Sequence, residues 1–477
     1  MHRFVISREH HEDHTNRGGA GTDIFHRIHG CHELSGLRER LDAQDQKLRI
    51  LERKLESKEE ETKAASAVQP VIRASPQHGF RIQSADSRNV ARLRGQLHFD
   101  GRYFPDDTTS ATADTWLLRR VRPTLEGTIN GIFDYRFTPD FAGGKTIILD
   151  AYATARLAPW ANVTVGKFKV PVGLERIVSA SDLRFIERGL PTSLVPNRDL
   201  GVQLGGSFAD ELVSYSVGYF NGVSDGGSSD ANTPADAEND TKGDWAARVF
   251  FRPFVNSDHP ALQGLGFGVA GTYVDSTGST TTTLLPNYRT PGQQTFFSFR
   301  GATAGATATF ADGERLRLTP QAYYYAGSFG LLGEYVALSQ DVTRVTANGT
   351  RSASLDNRAW QLQLSWFVTG EASSFKTPAP RTDFALDKGT WGALELVARV
   401  HELDIDDDAF IGGADSFANP ATAASKARSW GVGANWYLNQ NVKLSINYDV
   451  TSFDGGAADN ADREDEKALF TRVGVNF

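Results

Sequence analysis

No run of about 18 apolar residues occurs anywhere in this 477-residue chain, which removes a membrane-spanning helix from consideration. The single cysteine, Cys31, excludes an intrachain disulfide framework. A basic excess is also missing: the formal net charge is -8, which argues against nucleic acid as a partner. Histidine is scarce beyond the N-terminal tail, where His10, His11 and His14 have no carboxylate or cysteine framework around them. Neither a metal site nor a cofactor is therefore indicated. His98 and His401 are the clearest histidines in strand-like segments, and neither has an accompanying Ser or Asp pattern. An enzyme would need such a constellation. None of these deficits makes the chain soluble. Strands that cross a membrane in a closed sheet are about 10 residues long and apolar on one face only, so averaged hydropathy misses them.

The composition leans toward β structure, with 46 Gly, 29 Phe, 13 Tyr and 8 Trp. Along the chain the organisation changes three times. Residues 1–33 are polar, His-rich and aperiodic. An exported chain is expected to begin with a basic start and an apolar stretch of about 7–15 residues. Only Phe4, Val5 and Ile6 lie there, and Ile28-His29-Gly30-Cys31 resembles a lipoprotein cleavage site only faintly. In residues 34–62, Leu34, Leu41, Leu48 and Leu55 recur every seventh position, with Leu37, Gln44 and Leu51 at the second heptad position and charged residues between. That pattern predicts a coiled coil and self-association, with a lone amphipathic helix as the alternative. Residues 63–87, with Pro70 and Pro76, read as a linker.

From residue 88 the period becomes two. Leu93, Leu97, Phe99 and Tyr103 alternate with Arg92, Arg94, Gln96, His98 and Arg102. The same alternation returns in Trp360–Val368, Trp430–Leu438 and Val442–Val450, with Trp or Tyr on the apolar face near strand ends. Short turns at Gly327-Ser328 and Asn439-Gln440-Asn441 alternate with long acidic or Gly/Ser-rich connections at 224–242, 406–426 and 454–467. Lengths that alternate in this way match the two ends of an outer-membrane barrel. Counting gives 16 or 17 strands, the least certain near Phe296–Phe310. Bacterial single-chain barrels use even numbers, so the prediction is a 16-stranded antiparallel outer-membrane β-barrel over residues 88–477, with an N-terminal helical coiled coil. Sixteen strands leave an aqueous channel. The last strand ends on Phe477 with Leu469, Val473 and Val475 on its own face, a pattern similar to the assembly signal of outer-membrane barrels.

Lipid on one face fixes where charge can go, because Arg at mid-bilayer on the outer face costs roughly 2–4 kcal/mol. Parity then directs Arg92 and Arg94 inward, and likewise Arg120 and Arg122 opposite outward Val121, Leu125 and Ile129. Arg156, Arg248 and Arg252 follow by the same rule. Guanidinium forks match the oxygens of phosphate or carboxylate, and a wall of them selects anions. The alternative is that these arginines only pair with lumenal acids such as Asp100, Glu126 and Asp150. The segment 172–199 is long, moderately apolar and basic, with Arg184, Arg188 and Arg198, and is expected to tuck into the pore and constrict it. An exposed extracellular loop is the alternative.

Several stretches resemble the phosphate-selective porin O and P family. They are Trp116-Leu117-Leu118-Arg119-Arg120-Val121-Arg122-Pro123-Thr124-Leu125-Glu126-Gly127, then Val165-Gly166-Lys167-Phe168-Lys169-Val170-Pro171-Val172-Gly173-Leu174-Glu175, then Arg198-Asp199-Leu200-Gly201-Val202-Gln203-Leu204. Glu314-Arg315-Leu316-Arg317-Leu318-Thr319-Pro320-Gln321-Ala322-Tyr323-Tyr324-Tyr325 is similar to a further family segment. The resemblance implies a trimer of 16-stranded barrels with inward arginines, passing phosphate or another small anion across the bacterial outer membrane. It makes Arg119 and Arg120 the paired arginines of the constriction, and Lys167 and Lys169 the nearest candidates for basic groups at the pore entrance. Two other functions are weighed beside an anion porin: a general non-selective porin, and a structural anchor whose coiled coil touches the cell wall. A barrel enzyme ranks below both.

Overall fold

The structure is a computed structural model and describes residues 24–66, 70–75, 79–105, 114–144, 146–228, 242–301 and 307–477. His10, His11 and His14, and the acidic group Asp236, Glu238 and Asp240, lie outside the described residues. The chain divides into two units, Met1–Gln69 and Pro70–Phe477.

In the first unit one helix, α1, covers Ile24–Ser66, starting before and ending after the predicted heptads. Leu37, Leu41, Leu48, Leu51 and Leu55 are each more than half exposed, so the seam is uncovered in the single chain. The flanking charges support the helix locally, as in the i,i+4 pair between Asp45 and Arg49.

The second unit begins with two short strands, β1 (Val71–Ser75) and β2 (Gly79–Gln83), paired antiparallel. They stand where the sequence predicts a linker. Five-residue strands are too short for alternation to be seen above a Pro-flanked background. β2 pairs with the start of β3 (Val90–Tyr103). The strands that follow are β4 (Thr115–Ile129), β5 (Phe133–Asp140), β6 (Ile147–Ala158), β7 (Ala161–Lys169), β8 (Arg198–Phe208), β9 (Val213–Phe220), β10 (Asp244–Phe251) and β11 (Leu265–Thr277). A separate hairpin, β12 (Asn287–Arg289) with β13 (Thr295–Ser298), sits in the next connection and accounts for the least certain predicted strand. The sheet resumes with β14 (Ala308–Ala326), β15 (Phe329–Thr346), β16 (Gly349–Phe367), β17 (Ala393–Asp404), β18 (Ala424–Tyr437), β19 (Val442–Gly455) and β20 (Glu466–Asn476). From β3 to β20, leaving out the β12–β13 hairpin, each strand pairs antiparallel with the next. β20 returns to β3, from Leu469↔Tyr103 to Asn476↔Gln96. The sixteen-stranded barrel is thus closed and has no edge, the condition for satisfying every backbone group in lipid.

Connections 130–132, 159–160, 327–328 and 438–441 lie at one end, and 170–197, 221–243, 278–307 and 405–423 at the other. By that asymmetry the first end is periplasmic. β14, β15 and β16 run 19, 18 and 19 residues, beyond what a membrane needs, and so project past the outer surface. The outward side chains are apolar and exposed, including Leu93, Leu97, Leu125, Val202, Leu204, Leu316, Leu318 and Leu364. Aromatic pairs flank this belt, Phe99 with Trp116 and Tyr219 with Trp245 toward the long-loop end, Phe208 with Tyr215 and Phe329 with Trp366 toward the short-turn end.

Several connections enter the interior, the β12–β13 hairpin among them, with Tyr288, Phe296 and Phe297 buried in one cluster with Leu190, Leu194 and Val195. In 170–197, Val172, Leu174, Phe185, Ile186, Leu190, Leu194 and Val195 are all at most 2% exposed. Entry depends on Gly173 at φ 80°, where a Cβ would lie 2.8 Å from Val195 Cγ2. The backbone polar groups of this segment are met by inward side chains of the far wall: Glu334 accepts from Leu174 N, His401 from Leu190 N, Asn447 from Ile186 N, and Asn435 donates to Arg184 O. Two connections at the short-turn end are longer, 252–264 and 368–392. Residues 368–392 meet segment 170–197 inside the barrel, where Thr377 N donates to Asp182 Oδ1 at 3.1 Å and Arg184 donates to Ser374 O at 2.8 Å.

Candidate pore constriction

The β4 strand sets the first group of charges. Its register against β3 shifts between His98 and Phe99: His98 pairs with Arg120 and Phe99 with Leu118, leaving Arg119 as the extra residue. Successive strand residues normally face opposite sides, and a bulge of this kind re-aims one side chain. Arg119 and Arg120 therefore both point inward while Leu118 stays exposed outside. Arg120 is buried and donates from Nη1 to His98 Nδ1 at 3.1 Å. His401 accepts from Leu190 N through its Nδ1. Both strand histidines are thus engaged in packing contacts.

Arg119 grips Glu187 of the interior segment side-on, Nε to Oε1 at 2.6 Å and Nη2 to Oε2 at 3.1 Å. Arg102 adds a third contact to the same carboxylate at 3.2 Å, and Arg472 stands 3.9 Å away while holding Asp100 through two bonds of 2.6 Å. Arg102, Arg119, Arg120 and Arg472 thus face two carboxylates, Asp100 and Glu187. The surplus is positive, and Nε of both Arg102 and Arg120 is buried with no hydrogen-bond partner. Burial pushes the Glu187 carboxyl up, but the Arg119 charge and hydrogen bonds outweigh it, so the group is held well below the usual carboxylate range.

Toward the periplasmic end the same wall opens on a cavity of about 450 Å³. Its cationic lining comes from Arg94, Arg122, Arg136, Lys169 and Arg198, and Asp150 is its one acidic side chain. Thr124 and Thr138, then Thr154 and Thr164, form hydroxyl pairs across neighbouring strands of this wall. The cations are partly compensated. Arg122 pairs with Asp140 at 2.6 Å, Arg198 with Asp150 at 2.8 Å, and Arg94 and Arg136 share Glu126. Lys169 donates to the carbonyls of Ile177 and Val178.

Of the residues singled out in the sequence, the fold gathers Arg94, Arg119, Arg120, Arg122, Lys169 and Arg198 along β3–β8. Arg92 lies on the same inward parity at the strand start, with Nε buried. Others sit elsewhere. Arg156 pairs with Asp134, and Arg252 with Glu211, both at the periplasmic rim. Arg248 donates to Gln321 and lies 4.4 Å over the Phe250 ring. Arg184 is locked against Glu395 at 2.7 Å, and Arg188 caps the carbonyls of Glu175 and Val178. Lys167 stands opposite Leu200, is 2% exposed and is not among the side chains that line this cavity. Residues not singled out include Arg102, Arg136 and Arg472, which strand parity places inward, and Glu187, which no periodicity marks.

The chain matches the model of the family "Phosphate-selective porin O and P" over residues 91–477. Porin O of Pseudomonas aeruginosa is 23% identical over 428 residues, covering 84% of this chain and 91% of that protein. Among solved structures, OmpT of Vibrio cholerae, an outer membrane protein in its trimer form, aligns with a TM-score of 0.50 at 12% identity, over 82% of this chain and 99% of that one. An anion-selective porin from Comamonas acidovorans aligns with a TM-score of 0.48 at 13% identity, over 82% and 100%. With the family matched over most of its length and the sixteen strands closed, the chain belongs to the phosphate-selective porin O and P family and is a β-barrel porin of the bacterial outer membrane.

Proposed function

We propose that the barrel passes small anions, phosphate among them, along the β3–β8 wall, first beside Arg119 and Arg102 and then through the cavity below. The observation that carries this reading is the lining of that cavity, five cationic side chains against one acidic one. Guanidinium forks hold tetrahedral oxyanions through paired donors, and a wet lumen lets them exchange. The interior segment 170–197 acts as the constricting element, since inward side chains of β15, β17 and β19 hold its backbone inside the barrel. Trimeric assembly, the form in which OmpT of Vibrio cholerae was solved, is extended to this chain as part of the same proposal.

One observation favours a second reading, a porin with little selectivity: Glu126, Asp140 and Asp150 each hold arginines of this wall. Planar-bilayer recording separates the two. Under a KCl gradient the reversal potential of the anion pore lies on the chloride side, and added phosphate blocks chloride current. Arg198→Gln weakens that block, whereas Asp407→Asn in an exposed outer connection leaves it unchanged. A cation-side reversal potential, or equal effects of the two substitutions, overturns the proposal.

A further inference from the structure

The carboxylate at the centre of the arginine cluster belongs to the interior segment and not to the wall. Glu187 is reached by Arg119 through two bonds and by Arg102 through one, a side-on grip of the kind that also fits two oxygens of a phosphate. The segment has other anchors besides this contact. Glu334, His401 and Asn447 hold its backbone, Arg399 donates to Glu187 O at 3.0 Å, and Lys443 donates to Leu183 O at 2.9 Å. Asp100 is already engaged by Arg472, so Glu187 is the one carboxylate among the described residues that occupies the Arg102–Arg119 donors. Arg119 keeps 28% of its side chain exposed, which leaves the site open to water on one side.

We infer that Glu187 is a tethered internal anion that competes with permeating oxyanions for Arg102 and Arg119, and so sets how tightly the pore holds phosphate. The inference rests on the anion-pore reading above. A doubly charged tetrahedral oxyanion offers more acceptors and more charge than one carboxylate and displaces it. Chloride has no pair of oxygens to span the fork and gains less from doing so. Glu187 thus weakens oxyanion binding enough for release while leaving chloride passage little changed.

The test compares wild type, Glu187→Gln and Glu187→Asp in planar bilayers. Each protein is first checked for folding by its heat-modifiable shift on gels. The readout is the inorganic phosphate concentration that halves chloride current. With the competing charge gone, Glu187→Gln is expected to lower that concentration about tenfold, given the strength of a unit charge at contact distance in a partly wet site. Glu187→Asp, which keeps the charge but shortens its reach, lowers it by a smaller factor and serves alone if the glutamine variant does not fold. A half-blocking concentration that is unchanged or raised in either folded variant overturns the inference. So does a rise in single-channel conductance with loss of block, the mark of a mere latch. Failure of the anion-pore reading shows separately, in the reversal potential of the wild type.

Discussion

Replacing Glu334 by leucine tests what holds the interior segment in place. In the folded chain Glu334 Oε2 accepts from Leu174 N at 2.5 Å, and Oε1 accepts from Glu175 N at 3.3 Å and from Gln361 Nε2 at 2.6 Å. Gln361 keeps a second acceptor, Glu175 Oε2 at 3.1 Å, but the two backbone donors lose theirs. A buried donor left without a partner costs about 1–3 kcal/mol, so the first turn, Leu174–Ile177, is destabilised by several kcal/mol. Against this stands the burial of Val172, Leu174, Phe185, Ile186, Leu190, Leu194 and Val195. At about 1.5–3 kcal/mol for each buried side chain, that anchoring exceeds the polar loss. The segment should stay inside the barrel while its first turn loosens. Hydrogen exchange followed by mass spectrometry in detergent reads this directly. Peptides covering residues 172–178 lose protection, peptides covering 183–195 keep it, and mean single-channel conductance holds while open-channel noise rises. Loss of protection across the whole segment would show that one carboxylate holds it. No loss anywhere would show that the Glu334 contacts contribute nothing.

Two further outcomes follow from burial and from strand parity. Arg317 is fully buried between Asp225 and Asp244, with Nε 2.9 Å from Asp225 Oδ1 and Nη1 3.2 Å from Asp244 Oδ2; Asp244 also has Arg315 at 3.4 Å, whereas Asp225 otherwise accepts from the Tyr288 hydroxyl, so Arg317→Leu leaves the buried Asp225 without its cation and should cost about 3–5 kcal/mol in urea unfolding, partly recovered by adding Asp225→Asn. Leu204→Arg puts a charge on the lipid face and should cost roughly 2–4 kcal/mol when folding into vesicles is measured, whereas Gln203→Arg, one residue away and lining the cavity, should cost far less; similar losses at both positions would contradict the assigned faces.

Strand number, closure and the direction of most side chains were legible because one physical rule acts at every second residue. Lipid excludes charge, so Arg94, Arg122 and Arg248 declare their face through their neighbours alone. Where no period operates, the sequence was mute. Glu187 lies in a segment without alternation, and its partners come from β3, β4 and β20, residues distant in the chain. The strands β1 and β2 were too short to stand out, and the inward course of residues 368–392 depends on Thr377 and Ser374 meeting Asp182 and Arg184, which no local pattern encodes.

Arg119 lies between these cases. Strict alternation sends Arg120 and Arg122 inward and Arg119 toward lipid, where it would cost roughly 2–4 kcal/mol. The register shift at His98/Phe99 removes that cost by adding one residue to β4 and turning Arg119 to the wet side, where Glu187 receives it. Two adjacent arginines in a strand with a lipid-facing side are therefore themselves the signal of a bulge. Parity and charge, taken together, locate the irregularity that parity alone would miss, and in this barrel that irregularity adds Arg119 to Arg102, Arg120 and Arg472 where the interior segment meets the wall.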